Sequence, residues 1–96
     1  MWKLRLTTGM KLNYIKHANL KKSYKGSLMR DFGIETTFVE VCMLYGGNEN
    51  GEFKNIHEAL EMAERVIQAD CYAHGLKKEF PEYKAAAEYI VKVENR

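Results

Sequence analysis

Residues 55–74 read NIHEALEMAERVIQADCYAH. Stepped at 100° per residue, they place Ile56, Ala59, Leu60, Met62, Ala63, Val66, Ile67, Cys71 and Ala73 in one continuous half of a helical wheel. The other half carries His57, Glu58, Glu61, Glu64, Arg65 and Gln68, with Tyr72 among them. A helix this segregated must lay its apolar side on something, so the rest of the chain is read as its cover. Both ends are marked. Asn55 followed three residues later by Glu58 is a variant of the capping box. Gly75 followed by Leu76 predicts a left-handed C-terminal cap with its apolar contact.

Downstream, a second helix is predicted from about Pro81, a residue suited to the first helical position, to near Asn95. Phe80, Tyr83, Ala86, Ala87, Ile90, Val91 and Val93 share one side of it, and Glu88 with Lys92 makes an i,i+4 pair on the other.

Upstream, the period changes. Trp2, Leu4 and Leu6 alternate with Lys3, Arg5 and Thr7, which predicts a strand, and Lys11 to Lys16 reads as a second. A three- or five-residue loop between them pairs Leu6 with Leu12 and Leu4 with Tyr14, keeping one side apolar. Lys3, Arg5, Lys11 and Asn13 then share the outward face as a basic stripe. Residues 17–33 admit either a short helix on Leu20, Tyr24 and Leu28, between Asn19 and Gly33, or a basic loop. The run ETTFVEVCMLY at 35–45 is β-branched and apolar on both sides except at Glu40, which predicts a central strand. GGNENG should then reverse the chain into a short strand around Glu52 and Phe53. The expected architecture is α+β: one domain over residues 1–96, with a small antiparallel sheet of three to four strands and two C-terminal helices packed on one face.

At 96 residues, 46% apolar and 29% charged, the chain suits one soluble globular domain and lies far from the disordered range. Two cysteines, Cys42 and Cys71, both at positions expected to be buried, fit small hydrophobes in a reducing compartment better than a disulfide scaffold. No apolar run reaches transmembrane length, and MWKLRLT is no signal peptide, so a cytoplasmic protein without a membrane role is expected.

Charge is unevenly laid out. Residues 1–30 hold eight basic residues and no acidic one, whereas residues 31–96 hold seven basic and all thirteen acidic. The balance is +8 against −6, leaving a net +2 that hides the asymmetry. Random scatter of the acids would spare the first thirty positions only about once in a hundred tries.

Catalytic and metal motifs are sparse. Asp70 falls at the centre of the apolar arc, one turn before His74, and a carboxylate there opposes the helix dipole unless compensated. An Asp-oriented histidine could act as a base, but no nucleophile completes such a site, and a structural partner such as Lys77, Lys78 or a backbone amide is the simpler expectation. Cys71 and His74, with Cys42, His17 or His57, fall short of paired zinc knuckles. His57-Glu58-Ala-Leu-Glu61 departs from HExxH at its last ligand, and GGNENG lacks the lysine of a phosphate loop. No metal, cofactor or enzymatic activity is expected.

The basic third is the sharpest candidate for function. Lys3, Arg5, Lys11, Lys16, Lys21, Lys22, Lys25 and Arg30 could meet an acidic protein surface, or track a phosphate backbone with Tyr14 or Tyr24 stacking on bases. The same basic surface could meet the acidic helical face, Glu58, Glu61 and Glu64, of a second copy and form a homodimer. The leading expectation is a small non-enzymatic protein-binding module or inhibitor; the alternative is a nucleic-acid-binding domain. Small domains without catalytic groups are often inhibitors or adaptors of larger machines, including those of viruses and mobile elements, which is analogy from size alone.

Overall fold

The computed structural model describes residues 1–17, 33–34 and 37–96. Within them the chain runs β1 (Trp2–Lys3), α1 (Thr8–His17), α2 (37–44), β2 (Glu52–Phe53), α3 (Ile56–Ala73) and α4 (Phe80–Glu94). The long helix is indeed the centre. α3 lies against α1 on one side and α4 on the other, and it buries Ala59, Met62, Ala63, Val66, Ile67, Ala69 and Cys71.

The caps of α3 follow the sequence closely. Asn55 accepts from the His57 and Glu58 amides at 2.8 and 3.3 Å. At the other end Gly75 has φ +69°, its amide donates to the Tyr72 carbonyl at 3.1 Å, and the Leu76 amide donates to the Cys71 carbonyl at 2.8 Å. That pair of bonds is a Schellman motif. Leu76 itself stays 50% exposed. α4 begins one residue before Pro81, with the Glu79 amide held by the Glu82 carboxylate at 3.0 Å, and ends at Asn95.

The predicted sheet is not there. Among the described residues the only sheet is two-stranded and antiparallel, pairing Trp2 with Phe53 and Lys3 with Glu52, so the α+β architecture with three to four strands is replaced by a four-helix, mostly helical fold. Two segments read as strands are helical.

The first is Lys11–Lys16, which lies inside α1. Thr7 is the reason: its hydroxyl accepts from the Met10 amide at 3.2 Å and its carbonyl from the Lys11 amide at 3.1 Å, which is N-cap geometry rather than a hairpin turn. Lys16 and His17 in the last turn suit the helix dipole. The strand predicted over Trp2–Thr7 is correspondingly cut to Trp2 and Lys3.

The second is the 35–45 run, of which residues 37–44 form α2. Thr37, Phe38, Val41 and Cys42 are buried while Glu40, Met43 and Leu44 are exposed, a 3.6-residue period. The Thr37 hydroxyl donates back to the Gly33 carbonyl at 2.6 Å, satisfying a polar group that a strand would have turned into the core. Gly46, with φ +95°, then stops α2: its amide donates to the Met43 carbonyl, and the Gly47 amide to the Cys42 carbonyl at 2.9 Å, a second Schellman motif. GGNENG is thus a helix stop followed by a turn. In that turn the Asn48 side chain accepts from the Asn50 and Glu52 amides at 2.9 and 3.0 Å, delivering β2 as expected.

β1 is pinned on its outer side by the last residue of the α4 cap. The Asn95 side chain accepts from the Lys3 amide at 2.9 Å and donates to the Lys3 carbonyl at 3.0 Å, and it also donates to the Val91 carbonyl at 2.7 Å. One amide therefore substitutes for a missing neighbouring strand.

Candidate functional site

Turning the second predicted strand into a helix dismantles the basic stripe. Lys3 and Arg5 are exposed on the extended N-terminal segment, with Arg5 3.7 Å from Glu94. Lys11 is half-buried, its ammonium 5.5 Å from the centre of the Phe38 ring, while Lys16 is exposed in the last turn of α1. Lys21, Lys22, Tyr24, Lys25 and Arg30 lie outside the described residues. Tyr14 is only 3% exposed and sits edge-on to Phe38, with ring centroids 6.3 Å apart, so it has no free face for a base.

Asp70 and His74 are placed together but not deeply. Their side chains are 25% and 63% exposed, and His74 Nε2 stands 3.6 Å from Asp70 Oδ1. The stronger partner is Asn13, whose Nδ2 donates to the same carboxylate oxygen at 2.8 Å. The carboxylate in the apolar arc is thus a tie between α1 and α3, made with a side chain that the strand reading pointed at solvent.

A cleft of about 450 Å³ opens where α1, the end of α2 and α3 meet. Arg65, Gln68, Ala69 and Tyr72 come from one stripe of α3 at i, i+3, i+4 and i+7 spacing. Tyr14 and His17 come from the last turn of α1, and Tyr45 from the residue that caps α2. Burial foremost, then the neighbouring Tyr45 hydroxyl, push the Tyr14 phenol far above its ordinary range, so it stays a neutral hydroxyl.

Over Tyr45 lies the Arg65 guanidinium, 4.7 Å from the ring centre, with Nη2 donating to Glu61 Oε1 at 2.8 Å. Stacking and one carboxylate fix its plane and leave other donors of the fork for a ligand. Tyr72, 66% exposed, forms the ridge on the far side. No carboxylate lines this cleft among the described residues.

Sequence reasoning placed none of these together as a site. Arg65, Gln68 and Tyr72 were visible as one stripe on the polar half of the α3 wheel, but Tyr14 and Tyr45 joined them only through α1 and α2. Among the described residues no group of three or more His, Cys, Asp or Glu side chains is placed to hold a metal. Burial pushes the Cys42 thiol up to about 12, which keeps it protonated and unreactive at neutral pH.

No family model, curated protein or solved structure matches this chain.

Proposed function

We propose that the chain is a small, non-enzymatic protein-binding module, an adaptor or inhibitor, that takes an acidic partner segment carrying an aromatic side chain. The observation that carries this reading is the makeup of the α1–α3 cleft: Arg65, His17, Gln68 and tyrosine hydroxyls, with no carboxylate among its described lining residues. Arg and Tyr are the side chains that anchor protein interfaces, since they combine rigid apolar area with directional donors. An arginine already held flat by Tyr45 and Glu61 loses little freedom on binding. No helix among the described residues is long and apolar enough to cross a membrane.

The test is selection from a random dodecapeptide library on the immobilised protein, followed by fluorescence anisotropy with the selected peptides and with a single-stranded oligonucleotide. Acidic peptides containing Tyr, Phe or Trp should be enriched, and Arg65→Ala should weaken them about tenfold or more. Enrichment of no acidic motif, or oligonucleotide binding that collapses with salt and ignores Arg65, overturns the reading in favour of a phosphate-tracking basic surface.

A further inference from the structure

A second cleft, of about 440 Å³, lies on the opposite side of the Arg65–Tyr72 ridge, between α3 and the start of α4. Its floor is Tyr83, 6% exposed. Two large side chains that line it stand open: Tyr72 is 66% exposed and Phe80 65%. Neither belongs to the buried core that Tyr83, Ala87 and Val91 of α4 enter.

The cleft differs from the first in its charge. Glu64 on α3 and Lys78 in the connection both line it, and neither makes an ion pair with any described residue. Glu61 and Arg65 also line the cleft but are paired with each other, so Glu64 and Lys78 are its two unpaired charges of opposite sign. Because a two-fold axis sets residue i of one copy against residue j of the other and the reverse, a patch that carries one free charge of each sign is complementary to itself.

We infer that the α3–α4 cleft is where a second copy of this chain docks about a two-fold axis. Phe80 of each copy fills the cleft of the other beside Tyr72, over the Tyr83 floor, and Glu64 of each copy pairs with Lys78 of its partner. Arg65, Gln68 and Tyr72 line both clefts, so the pairing abuts the peptide site, although it does not rest on the peptide-binding reading. It also differs from a basic surface meeting an acidic one, since each copy brings both charges to the same patch. The apolar area is small, so the dimer is expected to be weak and reversible.

Sedimentation equilibrium of the full chain from roughly 10 µM to 1 mM reads the association directly. The mass should rise from 11.2 kDa toward twice that value. Glu64→Lys alone and Lys78→Glu alone should each weaken the dimer about tenfold, because each sets like charges together twice per interface. Mixing the two variants should restore it, since the reversed signs then meet. Phe80→Ser should leave the chain monomeric, with unchanged thermal unfolding showing that its fold is intact. A mass that stays at 11.2 kDa throughout overturns the proposal. So does a dimer that survives Phe80→Ser, or single charge variants whose mixture recovers nothing.

Discussion

Asn13 holds Asp70: its side-chain amide donates to the carboxylate at 2.8 Å across 57 residues of sequence. The bond joins α1 to α3 at a point where a carboxylate near a helix C-terminus has the dipole against it. Because the acceptor is charged and three-quarters buried, the amide stabilises more than a neutral surface bond would.

Asn13→Ala should therefore lower stability by about 1–2 kcal/mol in urea denaturation, without change in the m-value. Asp70→Ala should lower it less, since removing the carboxylate also removes its conflict with the dipole. A double-mutant cycle should return a coupling of about 1 kcal/mol. Strict additivity would show that the contact carries no energy.

The helical reading of α1 rests on Thr7. Thr7→Ala deletes the hydroxyl that accepts from the Met10 amide and should cost about 1 kcal/mol. Thr8→Ala, at an exposed first helical position, should cost a few tenths at most. Amide exchange separates the alternatives as well. Lys11 to Ile15 should show contiguous protection from one helix, whereas a hairpin would protect alternate amides.

Two glycines with positive φ should answer alike to alanine. At Gly75 a Cβ meets nothing within 4 Å, so Gly75→Ala costs only the left-handed backbone, about 1 kcal/mol. At Gly46 the Cβ would fall 2.8 Å from the Glu58 carboxylate, but that is the far end of a flexible side chain and can swing aside, so Gly46→Ala should also cost about 1 kcal/mol in urea denaturation. Glu58→Ala in the Gly46→Ala background should then recover little, and a large recovery would show that the carboxylate is held in place.

Burial of Cys42 couples stability to alkaline pH. The thiol ionises near 9 when solvated and near 12 in the fold. Because the folded state holds the proton more tightly, this site costs nothing below pH 9. Between about 9 and 12 the unfolded state gains by ionising, and the fold loses about 1.4 kcal/mol per pH unit from this group. Cys42→Ala should start less stable, from the cavity it leaves, and then lose stability more slowly than the parent between pH 8.5 and 10.5 on the scale set by that ionisation. Parallel curves would show that the thiol is not buried as described.

How much of this was legible follows from which signals were local. α3 and α4 are written in residues that decide for themselves: Asn55 and Gly75 at the ends of one, Pro81 and Asn95 at the ends of the other, with an apolar arc between. α1 was lost because Leu12, Tyr14 and Ile15 are too few to fix a period, and because Thr7 serves equally well in a turn or as a cap. α2 was lost because its run from Phe38 to Tyr45 is apolar nearly all round, so only the core it meets, burying Phe38, Val41 and Cys42, selects the helical period. The acid-free cleft depends on both of these helices, through Tyr14, His17 and Tyr45, and could not be drawn without them. The basic stripe failed with the strand pair that defined it, and Asn13 went from an outward face to the partner of Asp70.

The grip of Asn95 on Lys3 has a consequence for how the chain may be cut and rejoined. With residues 3 and 95 within one side chain of each other, a linker of a few residues between positions 96 and 1 would span the gap without strain. New ends opened at the exposed Glu49–Asn50 step would then leave every helix whole. Such a circular permutant should fold to the same core, with β1 tethered covalently where a single amide now clamps it.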